Sequence, residues 1–122
     1  MGKKTILIAD DEKDVLLMLE KRLKAKGYFV ITASNGIDAL ALAKSKHPDL
    51  IVLDILMPDI DGPDVAARLK ENPKTKDIPV IFLTCLYSKS EEAEKGHQLR
   101  NDMIFAKPYD SEDLVSTIEG LL

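Results

Sequence analysis

The stretch LIVLDILMPDIDG, residues 50–62, decides the fold, because it joins the most hydrophobic strand of the chain to a carboxylate. Its first four residues are apolar, and the fifth is Asp54. A strand that is apolar throughout, rather than alternating, is typical of a parallel sheet covered on both faces. An ionised carboxylate is costly to bury unless something pairs with it. The stretch therefore predicts a central strand that ends on an Asp54 exposed at the sheet edge, with its charge offset by cations.

Apolar runs alternate with helical patterns along the rest of the chain. Further strands are predicted at TILIA (5–9), YFVITA (28–33), VIFLT (80–84) and MIFA (103–106). Helices are predicted at 15–26, at 37–46, from Gly62-Pro63 onwards, at 88–101 and after Asp110. Their inward faces are predicted to carry Val15, Leu16, Leu19 and Leu23, then Val65, Ala66 and Leu69, and finally Leu114, Ile118 and Leu121. This order predicts an α/β fold with a doubly wound parallel sheet of five strands and five helices.

Composition limits the class of protein. With 122 residues, 45% of them hydrophobic, the chain fits one domain with an ordinary core. A net charge of -4 disfavours direct nucleic-acid binding. The single cysteine, Cys85, excludes an internal disulfide and suits a reducing compartment. No apolar run has transmembrane length and no signal peptide precedes residue 10, so we predict a soluble cytoplasmic protein whose single domain spans 1–122.

Polar residues stand where the predicted strands end. Asp10 and Asp11 follow the first strand, Asp54 ends the third, Thr84 ends the fourth, and Lys107 follows the fifth. Ligands of such sheets bind at the carboxyl ends of the strands. Clustered carboxylates repel one another, and Mg²⁺, which prefers carboxylate and phosphate oxygens, relieves that repulsion. The set predicts a site for a phosphoryl group, with Asp54 as the nucleophile that receives it.

Each of these residues also has an ordinary structural explanation. A strand-end aspartate is commonly a turn or cap residue, and adjacent aspartates before a helix complement its dipole. Thr84 is a common strand residue, and Lys107-Pro108 fits a surface turn. The functional interpretation depends on their joint occurrence at one edge of the sheet.

With these residues at the predicted strand ends, the chain resembles the receiver domain of two-component response regulators. The resemblance covers essentially the whole chain. It rests on four motifs: ILIADDE (6–12), PDLIVLDILMPDIDG (48–62), IPVIFLT (78–84) and KPY (107–109). It implies a flavodoxin-like sheet in the order 2-1-3-4-5. It also implies a phosphorylation-dependent signalling switch, in which a sensor histidine kinase or phosphotransfer protein phosphorylates Asp54 and the resulting change controls a downstream target or effector domain.

The same resemblance implies a role for each site residue. Oxygen atoms of four residues are expected to hold Mg²⁺: Asp11, Asp54, the backbone carbonyl of Leu56 and, through water, Asp10. Thr84 and Lys107 are expected to bind the phosphoryl oxygens. The face made by the 88–101 helix, the fifth strand and the last helix is expected to bind targets or a second copy of the chain. Ile104 departs from the family pattern, which usually has an aromatic residue at its position.

Three functions remain open from the sequence. The first is a phosphoacceptor receiver that catalyses only its own phosphorylation and dephosphorylation, without nucleic-acid or membrane partners. The second is a phosphohydrolase with an aspartyl-phosphate intermediate, although such enzymes typically carry an acid-x-acid motif at strand one, whereas Asp10 and Asp11 are adjacent. The third is a degenerate receiver that acts only as a protein-interaction module, and retention of the acidic residues, Thr84 and Lys107 argues against it.

Overall fold

The computed structural model describes residues 3–84, 103–106 and 111–122. Its strands are β1 (Thr5–Ala9), β2 (Phe29–Ala33), β3 (Leu50–Asp54), β4 (Val80–Thr84) and β5 (Met103–Ala106). Its helices are α1 (Lys13–Ala25), α2 (Gly36–Lys46), α3 (Gly62–Lys70) and a C-terminal helix (Ser111–Leu121). The helix predicted at 88–101, Lys107 and Asp110 lie outside the described residues.

The five strands form one parallel sheet in the order β2-β1-β3-β4-β5. Successive strands move outward from the centre in both directions, so the order of connection reverses between β1 and β3. Ligands of doubly wound sheets bind beside such a reversal, at the carboxyl ends of the strands. The fold class and strand order predicted from the sequence are confirmed, and they place the ends of β1 and β3 where a ligand site is expected.

The core lies on both faces of the sheet, which explains the continuous apolar runs. In β1, Ile6 and Ile8 face α1 and the C-terminal helix, whereas Leu7 and Ala9 face α2 and α3. All four side chains are fully buried. A strand covered on both sides has no solvent-facing position, so its polar residues are confined to its ends.

The predicted inward faces of the helices are largely confirmed. The buried positions are Leu16, Leu19 and Leu23 in α1, Val65, Ala66 and Leu69 in α3, and Leu114 and Ile118 in the C-terminal helix. Leu121 was predicted to be buried and is 41% exposed. Leu122 packs against the core at the end of this helix instead. None of the helices in the described ranges is long and apolar enough to cross a membrane.

The helix ends follow the local sequence. Gly27, at φ 97°, follows the end of α1, and its N–H donates to the Lys24 carbonyl at 2.9 Å. Asn35 caps α2 by accepting a hydrogen bond from the Asp38 N–H at 2.8 Å. His47 ends α2 in the left-handed conformation, φ 49° and ψ 59°, and Pro48 follows it. The helix ends at Lys46, the residue at which the helix predicted at 37–46 also ends.

A buried hydroxyl holds the turn that follows α3. The Thr75 Oγ1 donates to the Leu69 carbonyl at 2.6 Å, and Thr75 is 1% exposed. We expect Thr75→Val to lower the free energy of unfolding by about 0.5–1.5 kcal/mol, because the isosteric side chain removes one hydrogen bond from the Leu69 carbonyl, which still accepts from the Asn72 N–H at 3.2 Å. Urea denaturation measures the change. Thr75→Ser, which keeps the hydroxyl, is the control, and a Thr75→Val variant as stable as the wild type would show that the hydroxyl does not hold the turn.

Candidate functional site

Three carboxylates meet at the carboxyl ends of β1 and β3. Asp10 and Asp11 follow β1, Asp54 is the last residue of β3, and one oxygen of each lies within 4.8 Å of the others. The register explains the approach, because Ala9 pairs with Leu53 and the next residues of the two strands are therefore neighbours. We call Asp10, Asp11 and Asp54 the acidic cluster. The structure brings together all three carboxylates that the sequence predicted at this edge.

The burial of the acidic cluster is uneven. Asp10 is fully buried, Asp54 is 4% exposed and Asp11 is exposed. The prediction that Asp54 is exposed at the sheet edge is therefore wrong. Its strand is central in the sheet, and Gly62 of the following loop lies directly against its backbone carbonyl, so the end of β3 is closely packed. The cluster meets solvent through Asp11, which leaves a route for an ion or a phosphoryl donor.

Asp10 is held in place from two sides. Its backbone N–H donates to the Ala33 carbonyl at 3.1 Å, and its Oδ1 accepts from the Glu12 N–H at 2.9 Å. Glu12 caps α1, so the carboxylate lies at the positive end of a helix dipole. The end of β1 thus positions one oxygen of the cluster before any ligand binds.

The 55–62 loop returns the chain from β3 to α3 through a tight closure. The Gly62 N–H donates to the Ile55 carbonyl at 2.8 Å. A Cβ atom on Gly62 would collide with the backbone carbonyl of Asp54, so only glycine fits there without a shift. Asp61 then caps α3 by accepting from the Asp64 N–H at 2.9 Å. These contacts join the end of β3 rigidly to the start of α3.

The tip of the same loop is bound to α2. Asp59 Oδ1 accepts from the Gly36 N–H at 2.8 Å, and its Oδ2 accepts from the Ile37 N–H at 2.9 Å. Oδ1 also accepts from the Ile60 N–H at 2.7 Å. A Cβ atom on Gly36 would collide with the Ile60 carbonyl, so the loop backbone lies directly on the start of the helix.

Asp59 carries a perturbed pKa. Desolvation raises the pKa of its carboxyl, but hydrogen bonds from the Ile37, Gly36 and Ile60 N–H groups together lower it further. The net pKa lies below the ordinary value of 3.8, so the carboxylate form is favoured at neutral pH. Sequence reasoning missed both Asp59 and Gly36 as parts of this neighbourhood, because the contact joins residues 23 positions apart.

Thr84 and Leu56, two further predicted site residues, follow or end strands at the same edge. Thr84 is the last residue of β4 and pairs with Ala106, after which Lys107 falls outside the described residues. Leu56 is the second residue of the 55–62 loop, and its side chain is 49% exposed. Ile104, at the position where an aromatic residue was the family expectation, pairs with Phe82 in the sheet.

The donor set of the acidic cluster fits a hard divalent cation. Every candidate ligand is an oxygen, which Mg²⁺ prefers, and the uneven burial leaves open positions for water or phosphate oxygens. Three carboxylates this close repel one another when ionised, and a bound cation relieves that repulsion. The chemistry of the residues present therefore suits Mg²⁺.

The sequence and the fold are both similar to those of a known protein family. The family model of the response regulator receiver domain matches residues 6–119. This chain belongs to that family. The receiver domain is also found in solved structures that superpose along almost the whole chain. A response regulator from Desulfuromonas acetoxidans has a TM-score of 0.81 at 32% identity, covering 97% of this chain and 95% of that one. The chemotaxis protein CheY4 of Vibrio cholerae has a TM-score of 0.84 at 27% identity, covering 99% and 100%.

Curated relatives of this receiver domain are transcriptional regulators. The alkaline phosphatase synthesis transcriptional regulatory protein PhoP of Bacillus subtilis is 37% identical over 124 aligned residues. That alignment covers 100% of this chain and 49% of PhoP. The chain spans about half the length of the curated relatives it matches. The similarity is therefore to the receiver part of longer regulators.

Proposed function

We propose that residues 1–122 form one receiver domain in which Asp54 accepts a phosphoryl group from a sensor histidine kinase or a phosphotransfer protein. The observation that supports this most is the acidic cluster at the reversal of strand order, in a chain of the receiver family. Asp54 ends β3, the middle strand of the sheet.

The transfer is a displacement at phosphorus. A carboxylate oxygen of Asp54 attacks the phosphorus of a phosphohistidine, a new O–P bond forms, and the P–N bond breaks. The electron pair of that bond returns to the imidazole of the donor. Water later attacks the phosphorus of the aspartyl phosphate, which releases inorganic phosphate and restores Asp54. These two reactions are the only ones we assign to this chain, so it is a signalling protein without an external substrate.

Four residues are proposed to hold Mg²⁺. They are Asp11 and Asp54 through carboxylate oxygens, Leu56 through its backbone carbonyl, and Asp10 through water. When bound, Mg²⁺ neutralises negative charge on the phosphoryl oxygens, which is its general contribution to phosphoryl transfer. Asp10 orients one ligand position because its carboxylate is already fixed by the Glu12 N–H.

Two further residues are proposed to bind the phosphoryl oxygens. The Thr84 hydroxyl is a donor of suitable type at the end of β4, the strand next to Asp54. The Lys107 ammonium follows β5 and supplies a positive charge. New charge at Asp54 then favours a different arrangement of the loops around it, which is how phosphorylation commonly switches a domain.

The partners follow from this function. We propose that the switch controls binding of a downstream protein or an effector domain in the cytoplasm, without direct contact to nucleic acid or membrane. The 88–101 segment, β5 and the C-terminal helix are the proposed surface for that target or for a second copy of the chain.

A phosphodonor experiment tests this function. We expect incubation with a small-molecule phosphodonor and Mg²⁺ to add one phosphoryl group per chain, and we expect chelation of Mg²⁺ to prevent it. Intact-protein mass spectrometry gives the stoichiometry, and a phosphate assay follows turnover. Repeated turnover of the donor at enzymatic rates would indicate a phosphohydrolase. No modification at any Mg²⁺ concentration would indicate a degenerate receiver.

A further inference from the structure

The 55–62 loop is held at its base and at its tip, and the proposed magnesium ligand Leu56 lies between these two attachments. At the base, the Gly62 N–H donates to the Ile55 carbonyl at 2.8 Å. At the tip, the Asp59 carboxylate binds the Gly36 and Ile37 N–H groups. The segment between these two attachments consists only of residues 56–58.

Within that short segment, Met57 alone packs against the core, between α2, α3 and the sheet. The Leu56 side chain is 49% exposed and Pro58 is exposed, so neither is anchored in the core. The direction of the Leu56 carbonyl therefore depends on the base and the tip of the loop together with the packing of Met57.

The tip contact also completes the first turn of α2. The first N–H groups of a helix have no partner within it. Here Gly36 and Ile37 donate to Asp59, and Asp38 donates to Asn35. A charged acceptor for two N–H groups at a helix N-terminus makes strong, directional bonds. Asp59 therefore belongs to two structural units, the 55–62 loop and α2.

We propose that Asp59 is a positioning residue for the magnesium site, acting by tying the 55–62 loop to α2 and so aiming the Leu56 carbonyl. The proposal rests on the proposed function, because it assumes that Mg²⁺ binds at the acidic cluster. Asp59 is not one of the proposed ligands. Its effect is that of a partner that orients a ligand, and loss of such partners typically weakens metal binding by 10- to 100-fold.

The attachment of the loop to α2 through Asp59 implies a reciprocal effect of Mg²⁺ on α2. If the attached loop binds Mg²⁺ more tightly than the detached loop, Mg²⁺ must stabilise the attachment by the same factor, because linked equilibria are symmetric. Mg²⁺ should therefore slow hydrogen exchange at the Gly36 and Ile37 amides, because their exchange requires the hydrogen bonds to Asp59 to break. The metal site would thus change the stability of a helix that supplies no ligand.

Two aspartates in the same loop allow a matched comparison. Asp59→Asn and Asp61→Asn remove one negative charge each from the 55–62 loop. Asn remains a good cap at position 61, where a single oxygen accepts from the Asp64 N–H. At position 59 an amide supplies only one acceptor oxygen for the bonds that the two carboxylate oxygens make. We expect Mg²⁺ affinity, measured by calorimetric titration, to fall about tenfold more in Asp59→Asn than in Asp61→Asn.

Amide exchange followed by NMR supplies the second readout. We expect Mg²⁺ to slow exchange at Gly36 and Ile37 in the wild type and in Asp61→Asn, but not at Ile37 in Asp59→Asn. Circular dichroism confirms that each variant is folded. Equal losses of Mg²⁺ affinity in the two variants would show that Asp59 acts only through its charge, which would contradict the positioning role. Amide exchange that does not respond to Mg²⁺ in the wild type would also contradict it. A wild-type protein that binds no Mg²⁺ would overturn the proposed magnesium site itself, and the positioning role of Asp59 with it.

Discussion

Replacing Asp54 with Asn is expected to abolish phosphorylation by a small-molecule phosphodonor while the domain stays folded. The amide nitrogen and oxygen of Asn are poor nucleophiles, so no O–P bond forms at this position. The side chains have nearly the same shape, and the substitution removes one of three carboxylates whose oxygens lie within 4.8 Å of one another. Less repulsion between like charges should keep the free energy of unfolding at least as high as that of the wild type.

The matched control lies at the opposite end of the same strand. Asp49 precedes β3, and its Oδ2 accepts from the Thr5 N–H at 2.8 Å. Asp49→Asn removes the same charge far from the acidic cluster, so we expect full phosphorylation. Phosphoryl incorporation is measured by intact-protein mass spectrometry and stability by urea denaturation. Undiminished incorporation in Asp54→Asn would rule out Asp54 as the acceptor.

Adding one methyl group at Gly62 is expected to destabilise the domain strongly. The new Cβ atom would meet the backbone carbonyl of Asp54 and the Cα of Ile55. Backbone atoms at the end of a central strand cannot turn aside as a flexible side chain can. We expect Gly62→Ala to cost about 3 kcal/mol, the upper end of the range for overpacking. Because the displaced segment carries Asp54 and Leu56, Mg²⁺ affinity should fall as well.

Gly120 provides the control for this prediction. It lies exposed in the C-terminal helix, and a Cβ atom there would have nothing within 4 Å. Alanine is favoured over glycine inside a helix, so Gly120→Ala should gain about 0.5–1 kcal/mol. Urea denaturation should therefore give changes of opposite sign for the same chemical substitution. A Gly62→Ala variant as stable as the wild type would show that the end of β3 can move freely.

The strands could be predicted because each is buried on two faces and therefore reads as an unbroken apolar run. The bounds of β1, β3, β4 and β5 agree with the sequence. The run at 28–33 loses its first residue, because the Tyr28 N–H donates to the Leu23 carbonyl at 3.2 Å and so belongs to the end of α1. Hydrophobicity alone cannot show that a residue's backbone is already used by a helix.

The acidic cluster was predictable and its surroundings were not. The sequence shows the three aspartates directly at the ends of apolar runs, and the sheet topology then places Asp10, Asp11 and Asp54 together. The close approach of the 55–62 loop to the end of β3, where Asp54 is buried, depends on the absence of a side chain at Gly62. Asp59 resembles any loop aspartate in the sequence, and only the tertiary contact with Gly36 and Ile37 distinguishes it.

The most direct test of the phosphoacceptor assignment is to locate the phosphoryl group chemically. Wild-type protein is treated with a small phosphodonor and Mg²⁺ and then reduced with borohydride, which converts an aspartyl phosphate into homoserine. Peptide mass spectrometry then reads the modified position. We expect homoserine at position 54 and nowhere else, and only when Mg²⁺ was present. Homoserine at position 10 or 11, or a phosphoryl group on another residue with Asp54 unchanged, would contradict Asp54 as the phosphoacceptor.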